Sequence, residues 1–438
     1  MDTLFHKTQT LFRSDKGFET RRASVLVKGG KIARVEEDGP ACDRLKESFS
    51  GRIIDGRDRL LVPAFFNCHT HSYMSILRNC ADDLPFDKWL FGAVMPAEDR
   101  MSPGEAFTGA ALAMVEMVKS GCGCFSDMHM HPGMTADAAL YVGMRGVISR
   151  GLVGEDENDE GGLRRMAEAL EEKKRYSGCD TLSFMLAPHA PYSCGERFLR
   201  FVAETAARED MGIHIHLAES DGEDRQIRER YGISPVALAA RTGILSPRTV
   251  AAHCVRLDAD DIALLAESGT SVASCPSSNM KLGNGFAPVR ELTAAGVNVC
   301  LGTDGAASNN SLNIFRELGM ITMIHKGAHK DALSVSADEA LGFVTVNGAR
   351  ALGFVGAGVI APGSPADLTL FRLDTPSFTP RTSLKSALCY SANGSEADTV
   401  MVGGEIIMEN RAMTKADEEK LMYDARKAAA RLGLCTDE

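Results

Sequence analysis

The chain has 438 residues, of which 44% are hydrophobic and 24% are charged, as in an ordinary globular protein. Its 59 acidic and 48 basic side chains give a formal net charge of −11. This acidic balance argues against a general nucleic-acid-binding protein, which needs a basic surface. The longest uncharged run, residues 60–77, contains histidine, asparagine and serine, so no membrane-spanning segment is predicted.

The cysteines indicate a reducing environment. Twelve are present, and no two of them form a C-x-x-C pair. The first residues, MDTLFHKTQTLFRSDKG, lack the apolar core of a secretory signal. We therefore expect a cytoplasmic protein with free thiols rather than a secreted protein held by disulfides.

The two ends of the chain share one pattern. Residues 23–35 are typical of two short strands joined at Gly29-Gly30, and residues 399–408 repeat this hairpin pattern around Gly403-Gly404. The sequence therefore predicts one small β-sandwich built from both termini, followed by a charged C-terminal helix on the outside. Its two parts are residues 1–61 and 356–438.

Between these parts, residues 62–355 alternate short apolar runs with longer helical stretches, which predicts a parallel sheet. Eight such units fit a (β/α)₈ barrel with insertions. An open, doubly wound sheet is the competing architecture, but no G-x-G-x-x-G follows the first strand. The predicted strands are residues 60–66, 122–126, 147–153, 181–187, 212–217, 249–252, 270–274 and 297–302.

Active sites of such barrels lie where the strands end, so polar residues that directly follow a predicted strand are the candidates for chemistry. His69 and His71 follow the first predicted strand, two residues apart, and therefore point to the same side. His216, His253 and Asp304 come at three other strand ends. Neutral imidazoles with one carboxylate suit zinc or ferrous iron, and an open coordination position would hold a water whose pKa falls to about 7 on zinc.

Each of these features is weak when taken alone. A single H-x-H pair is common, and Asp304 before a small-residue stretch is also typical of a helix N-cap. His214 is expected to be structural, alternating away from His216 into the barrel wall or outward, while His129 and His131 are expected to line the site without ligating. The coincidence of His and Asp at four strand ends favours a metal site.

Motifs of other hydrolases and of nucleotide-binding proteins are missing. The sequence contains no G-x-S-x-G, no H-E-x-x-H and no phosphate-binding G-x-x-x-x-G-K-[ST]. It also lacks the H-x-E and P-C-x-x-C of the cytidine-type deaminases. The stretch from Gly283 to Gly285 predicts a turn and nothing more specific.

Several longer motifs carry a family resemblance. The segments around His69, His216, His253 and Asp304 resemble the amidohydrolase superfamily, in particular its branch of aminohydrolases that bind one metal. Over nearly the whole chain the sequence is similar to the 5′-methylthioadenosine/S-adenosylhomocysteine deaminases. The segments that carry this closer resemblance are residues 81–85, 95–99, 187–194, 279–285 and 302–313.

The resemblance implies a distorted (β/α)₈ barrel flanked by a β-sandwich, in agreement with the pattern above. It also implies that His69, His71, His216 and Asp304 bind one divalent metal, with zinc expected and iron as the alternative. A carboxylated lysine bridging two metals is not supported, because no lysine ends the relevant strands. Asp304 would take the proton of the attacking water.

For the deamination of an adenine, two more residues receive roles from chemistry and from the resemblance. Glu219, three residues after His216, would protonate the ring nitrogen as a general acid, and His253 would orient the attacking group. General acid–base steps of this kind contribute about 10²–10⁴-fold each. The alternative interpretation is that Glu219 is a surface carboxylate and that His253 is a buried core histidine.

The resemblance also implies substrate contacts. Glu98 would bind the ribose hydroxyls, and Arg145 would bind the carboxylate of an amino-acid tail. The sequence departs in spacing around Arg164 and Arg165, so either or neither of them contacts this tail. If neither does, substrates without the tail are favoured. His189 would line the purine site, and Trp89 would either pack on the thioether or fill the core.

We therefore expect an enzyme that deaminates S-adenosylhomocysteine, 5′-methylthioadenosine, 5′-deoxyadenosine or adenosine to the inosine analogue. The alternative is a deaminase or hydrolase of another heterocycle, such as guanine, a pterin or a triazine, although Glu98 argues against it. A catalytically silent relative would have lost ligands, and all of them are present here. The resemblance makes a homo-oligomer plausible, while the charge balance and the uncharged run predict no nucleic-acid or membrane partner.

Overall fold

A computed structural model describes residues 2–86 and 88–434. Its strands form two sheets, one contributed by both ends of the chain and one by the middle. The N-terminal strands are β1 (Thr3–Ser14), β2 (Gly17–Lys28), β3 (Lys31–Glu37), β4 (Arg52–Asp55) and β5 (Arg59–Pro63). The strands of the middle are β6 (Phe65–Thr70), β7 (Cys122–His129), β8 (Arg145–Leu152), β9 (Leu182–Pro188), β10 (Gly212–Leu217), β11 (Thr249–His253), β12 (Ser271–Ser274) and β13 (Val299–Leu301). The C-terminal strands are β14 (Leu368–Arg372), β15 (Ala397–Val402), β16 (Glu405–Glu409) and β17 (Ala412–Met413).

Helices connect the strands of the middle sheet and follow the outer sheet. The first eight are α1 (Pro40–Glu47), α2 (Met95–Glu98), α3 (Pro103–Lys119), α4 (Pro132–Val142), α5 (Glu160–Arg175), α6 (Glu196–Arg208), α7 (Asp221–Tyr231) and α8 (Pro235–Arg241). The next eight are α9 (Ala259–Ser268), α10 (Pro276–Lys281), α11 (Val289–Ala294), α12 (Ile314–His329), α13 (Ala337–Val344), α14 (Val346–Ala351), α15 (Leu384–Tyr390) and α16 (Glu418–Arg431). Short 3₁₀ turns span Ser72–Leu77 and Pro376–Phe378, and a π-helical turn spans Lys88–Val94.

The middle sheet is an eight-stranded parallel barrel in which each strand pairs with its neighbour in sequence, from β6 to β13. Hydrogen bonds bring the first and last strands together. The backbone N–H of Asp304 donates to the carbonyl of His69 at 3.0 Å, and the Asn67 side chain donates to the Thr303 hydroxyl at 2.7 Å. The predicted (β/α)₈ architecture is confirmed.

The first barrel strand begins later than the sequence predicts. Residues 60–66 were expected as one strand, but the chain passes from β5 to β6 at Ala64. The backbone N–H of Ala64 donates to the backbone carbonyl of Asp367, beside the outer sheet, at 2.9 Å. The next N–H, that of Phe65, donates to the backbone carbonyl of Gly121, beside the barrel, at 3.0 Å. Both flanking segments are buried, so the apolar run shows no periodicity that marks the change of sheet.

The outer sheet combines both termini, as predicted. Its strand order is β17-β16-β15-β14-β5-β1-β2-β3, and β4 pairs with β1. β5 pairs with β14 in antiparallel and with β1 in parallel orientation, so the N- and C-terminal halves are hydrogen-bonded to each other. Apolar side chains of both halves form one core, which includes Phe5, Val25, Leu61, Leu368 and Met401.

A buried ion pair joins the barrel to the outer sheet. Arg145, at the start of β8, donates to both carboxylate oxygens of Asp367, from Nε at 2.8 Å and from Nη2 at 3.1 Å. The backbone N–H of Gly403 donates to the same carboxylate at 2.6 Å, and Arg145 also donates to the carbonyl of Asp180 at 3.1 Å. The pair therefore fixes the start of β8 against the ends of β14 and β15 in the outer sheet.

The charged C-terminal helix, α16, packs on α3 through ion pairs between Lys119 and Glu418 and between Arg431 and Glu105. Glu105 also closes a capping box with Ser102 at the start of α3, which satisfies two backbone N–H groups of its first turn. The cysteines in the described part of the chain are free thiols. Among the same residues, no helix combines the length and apolar character that crossing a membrane requires.

Candidate active site

Five side chains, at or just after the ends of four different strands, converge at the C-terminal end of the barrel. His69 and His71 lie at the end of β6, His216 at the end of β10, and His253 is the last residue of β11. Asp304 follows β13. Nitrogen and oxygen atoms of these residues lie within 4.8 Å of one another in two overlapping groups.

Backbone carbonyls determine which nitrogen of each imidazole carries its proton. His71 Nδ1 lies 2.8 Å from the carbonyl of Met128, and His216 Nδ1 lies 2.9 Å from the carbonyl of His189. Because a carbonyl can only accept, both Nδ1 atoms carry a proton, and in the neutral tautomer each Nε2 atom presents a lone pair. These two Nε2 atoms face each other at 3.1 Å.

This arrangement of acceptors suits a divalent cation. Asp304 Oδ1 lies 3.3 Å from His69 Nε2 and 3.4 Å from His71 Nε2, and His69 Nε2 is buried without a hydrogen-bond partner. Burial lowers the pKa of His69 to about 4 and that of His216 well below its ordinary value, which keeps these rings neutral. Neutral imidazoles and a carboxylate are the donor set preferred by zinc and related metals.

Asp304 is held in a strained backbone conformation. Its φ of 61° lies in the left-handed region, which a non-glycine residue adopts at a cost of about 1–3 kcal/mol. The Ser278 and Ser308 hydroxyls both donate to Oδ2, at 2.6 and 2.7 Å. Oδ1 is thereby left for the histidines. Burial raises the pKa of Asp304, but His69 and the other imidazoles outweigh it and hold the pKa well below its ordinary value.

His214 lies inside the barrel, which corrects the sequence interpretation. It was expected to alternate away from His216, but residues two apart on a strand share a side. His214 Nε2 lies 2.8 Å from His69 Nδ1, and its own Nδ1 lies 3.2 Å from the Ser126 hydroxyl. Through these contacts His214 holds the ring of His69 in its orientation.

Glu219 and His253 lie side by side next to the histidine cluster. Both are buried, and Glu219 Oε2 is 3.9 Å from His253 Nε2. Burial raises the pKa of Glu219 above its ordinary value, which favours the protonated form that a general acid needs. Asn279 lies 2.8 Å from His253 Nδ1, and Asn284 donates to Glu219 at 3.2 Å.

Glu98 lies beside the cluster, near His71. The hydroxyl of Tyr73 donates to Glu98 Oε1, and Tyr73 packs edge-to-face on the His129 ring with centroids 3.9 Å apart. Burial raises the pKa of Glu98, and the hydrogen bond from Tyr73 partly opposes this. His129 thus contacts Tyr73 and lies outside both groups of ligating atoms at the cluster.

His189 and Trp89 also lie near the site. His189 follows β9, and its ring packs on that of His216 at 4.9 Å. Burial lowers the pKa of His189 to about 4, so its ring is neutral. Trp89 is 6% exposed, and its indole N–H donates to the carbonyl of Ala307 at 3.1 Å. Trp89 therefore packs against the loop that carries Asp304.

The arginines are placed differently from the prediction. Arg145 begins β8 and lies at the opposite end of the barrel from the histidines, where it is paired with Asp367. The interpretation of Arg145 as a ligand of a substrate carboxylate is therefore corrected to a structural role. Arg164 lies on α5 with 69% of its side chain exposed, 3.8 Å from Glu168. Arg165 donates to the carbonyl of Val153 at 3.3 Å.

Sequence reasoning missed Arg150 and the residues after β12. Arg150 lies near the C-terminal end of β8 and pairs with Glu168 at 2.8 Å. Ser278 and Asn279 lie on α10, four and five residues beyond the end of β12. Neither directly follows a strand, so the strand-end rule gave no signal for them.

Comparisons with known proteins agree with this geometry. A model of the amidohydrolase family matches residues 60–407. A 5-methylthioadenosine/S-adenosylhomocysteine deaminase of Pelotomaculum thermopropionicum is 40% identical over 414 residues, which cover 94% of each chain. A 5′-deoxyadenosine deaminase of Methanothermobacter thermautotrophicus is 39% identical over 418 residues, which cover 94% of this chain and 95% of the relative.

Solved structures show the same fold. The crystal structure of an adenosine deaminase from Xanthomonas campestris with bound zinc superposes with a TM-score of 0.93 at 30% identity, covering 99% of both chains. The zinc complex of an atrazine chlorohydrolase from Arthrobacter aurescens superposes with a TM-score of 0.89 at 24% identity, covering 98% of this chain and all of that one. The latter likeness concerns the fold alone.

Proposed function

The chain belongs to the amidohydrolase family, and from this premise we propose that it hydrolytically deaminates the adenine ring of small adenosine derivatives. In this reaction, water replaces the amino group at C6, and the products are the inosine analogue and ammonia. The observation that carries the proposal is the pair Glu219 and His253 beside the cluster of three histidines and Asp304. The names of the 5-methylthioadenosine/S-adenosylhomocysteine and 5′-deoxyadenosine deaminases support it.

We assign His69, His71, His216 and Asp304 as ligands of one divalent metal, with zinc favoured. The three imidazole Nε2 atoms and a single carboxylate oxygen suit zinc, and iron is the alternative. The zinc bound to the adenosine deaminase from Xanthomonas campestris supports this choice. A bound divalent metal supplies a water molecule of lowered pKa at this position.

Asp304 and Glu219 carry out different proton transfers in this reaction. Asp304 Oδ1 points to the histidines, and so it accepts the proton of the attacking water, while Oδ2 stays bound to two serine hydroxyls. Glu219 donates its proton to ring N1, so that the C6 carbon becomes electrophilic. Asp304 passes the proton that it took from the water to the leaving amino group, which departs as ammonia, and the proton of the new C6 hydroxyl goes to Glu219 and restores its acid form. His253 orients the attacking oxygen.

Glu98 provides the contact that favours a nucleoside over a free base. Its two carboxylate oxygens suit the vicinal hydroxyls of ribose, and the Tyr73 hydroxyl orients the group by binding Oε1. His189 lines the purine side, and Trp89 shapes the wall next to the Asp304 loop. A guanine, pterin or triazine substrate offers no vicinal diol for this carboxylate.

The arginines favour a substrate with an uncharged 5′ substituent. Arg145 is bound to Asp367, and Arg150 is bound to Glu168, so each guanidinium already has a carboxylate partner. Arg164 is largely exposed and faces Glu168 as well. We therefore expect higher kcat/KM for 5′-methylthioadenosine or 5′-deoxyadenosine than for S-adenosylhomocysteine, whose tail carries a carboxylate.

An ultraviolet assay tests the reaction. Zinc-loaded protein is offered S-adenosylhomocysteine, 5′-methylthioadenosine, 5′-deoxyadenosine, adenosine and guanine, and both the spectral shift and released ammonia are measured. We expect Glu219→Gln to lower kcat by about 10²–10⁴-fold with the zinc content unchanged. The exposed replacement Glu229→Gln is the matched control and keeps wild-type kcat. If metal-loaded wild type turns over none of the adenosine compounds, the proposal is wrong.

The substrate preference has its own test. Glu168→Gln releases Arg150 from its carboxylate partner, so the ratio of kcat/KM for S-adenosylhomocysteine to that for 5′-methylthioadenosine is expected to rise. Activity on 5′-methylthioadenosine serves as the internal reference. A wild type that already prefers S-adenosylhomocysteine would contradict the proposed preference while leaving the deamination itself intact.

A further inference from the structure

We propose that Asn284 is a positioning residue that determines which oxygen of Glu219 carries the acid proton. This inference rests on the proposed deamination. Asn284 Nδ2 donates to Glu219 Oε1 at 3.2 Å. The other oxygen, Oε2, faces His253 Nε2 at 3.9 Å.

Asn284 belongs to a segment that contacts both acid–base residues. Five residues earlier, Asn279 Oδ1 lies 2.8 Å from His253 Nδ1. The backbone N–H of Asn284 donates to the carbonyl of Asn279 at 2.8 Å, which ties the two contacts together. Between them, Gly283 adopts a φ of +73°, which an L side chain rarely adopts, and this residue turns the chain back toward Glu219.

The segment is fixed rather than a mobile surface loop at this point. Asn279 is fully buried and Asn284 is 6% exposed. On the other side, the carboxylate of Glu223 accepts hydrogen bonds from the backbone N–H groups of Ala218 and Glu219 at 3.1 and 2.8 Å. The backbone of Glu219 is therefore held by Glu223, and the rotation of its carboxylate by Asn284.

The hydrogen bond makes the two carboxylate oxygens different. The terminal torsion of a glutamate is broad and nearly two-fold, so without a partner both oxygens exchange places easily. An amide N–H bonds best to the oxygen that bears no proton, because that oxygen is the stronger acceptor. The proton of the neutral acid is therefore placed on Oε2, the oxygen on the His253 side of the site.

A hydrogen bond in the opposite direction, from Glu219 to Asn284, would respond differently to substitution. If protonated Glu219 instead donated to the carbonyl oxygen of Asn284, an aspartate at position 284 would accept the same bond. Asn284→Asp and Asn284→Ala therefore separate the two cases. Under the proposal, Asn284→Asp replaces the donor by a charged acceptor and is at least as damaging as Asn284→Ala.

Steady-state kinetics of both variants on the best adenosine substrate test the proposal. We expect kcat to fall by about 10- to 100-fold, since a misplaced catalytic group costs rates of this order. KM should stay within about twofold, because Asn284 touches Glu219 rather than the substrate in this assignment. Phe286→Leu, in the same loop, is the control for a general disturbance of the loop.

The pH profile supplies a readout that loop damage alone does not move. A hydrogen bond to the ionised form lowers the pKa of a carboxyl group, so removing the donor raises the pKa of Glu219. The basic limb of kcat/KM in Asn284→Ala is therefore expected to move to higher pH. Wild-type kcat in Asn284→Asp, or unchanged kcat and limb in Asn284→Ala, would overturn this inference alone. A silent wild type would refute the proposed reaction, and this inference with it.

Discussion

The replacement Arg145→Met separates the structural role of this arginine from a role in substrate binding. Arg145 and Asp367 are 8% and 6% exposed, and the pair is bidentate. Without the guanidinium, Asp367 keeps the N–H of Gly403 as a donor but loses its cation. Breaking a buried ion pair by removing one partner costs about 3–5 kcal/mol.

This cost converts to a measurable change in Tm. An unfolding entropy of about 2.1 cal/mol/K per residue gives about 0.9 kcal/mol/K for 438 residues. The expected decrease in Tm is therefore about 3–6 °C, measured by circular dichroism at fixed zinc and protein concentration. Arg57→Met is the matched control, because Arg57 is 84% exposed in its pair with Asp55 and should leave Tm unchanged.

Kinetics complete this test. Because Arg145 lies at the far end of the barrel, Arg145→Met should keep the wild-type ratio of KM for S-adenosylhomocysteine to KM for 5′-methylthioadenosine. The double replacement Arg145→Met/Asp367→Leu should recover part of the lost Tm, since an apolar pair leaves no buried charge unpaired. An unchanged Tm together with a selective rise in KM for S-adenosylhomocysteine would refute the structural assignment.

Three further replacements test other parts of the structure. His214→Phe removes the hydrogen-bond partner of His69 and should weaken zinc affinity by about 10–100-fold in a chelator competition. Gly302→Ala places a methyl group 2.7 Å from His69 Cβ and should lower the zinc content, whereas Gly178→Ala, which meets open space, should not. Burial lowers the pKa of His325 to about 4, and both its ring nitrogens are unpartnered. The unfolded chain therefore binds a proton more readily and stability is lost as pH falls from about 6.5 toward 4, so His325→Leu should gain Tm over wild type as the pH is lowered across this range.

The barrel and its strand-end residues could be predicted because their pattern is local. Each strand is a short apolar run, and parallel strands place their C-terminal ends at one face of the barrel. The approach of His69, His216, His253 and Asp304 to one another could therefore be predicted from the sequence. The solved structures confirm the fold, and the ligand assignment remains a prediction that the zinc experiments address.

Other features depended on information that the sequence pattern does not contain. The change of sheet at Ala64 is set by hydrogen bonds to Asp367 and Gly121, which are distant in sequence. Arg145 was assigned from the family resemblance, whereas the end of the same strand that faces the histidines carries Arg150. The bond from Asn284 to Glu219 depends on a turn whose direction is invisible in the sequence.

The outer sheet also imposes an order on how the protein is made. A ribosome releases β5 early in synthesis, but its antiparallel partner β14 follows only after the whole barrel has been translated. Until β14 has been synthesised, the edge of β5 that pairs with it has no partner. Unpaired strand edges can form hydrogen bonds with strands of other chains. Nascent or C-terminally truncated chains should therefore depend on chaperones even though all the assigned metal ligands have already been synthesised.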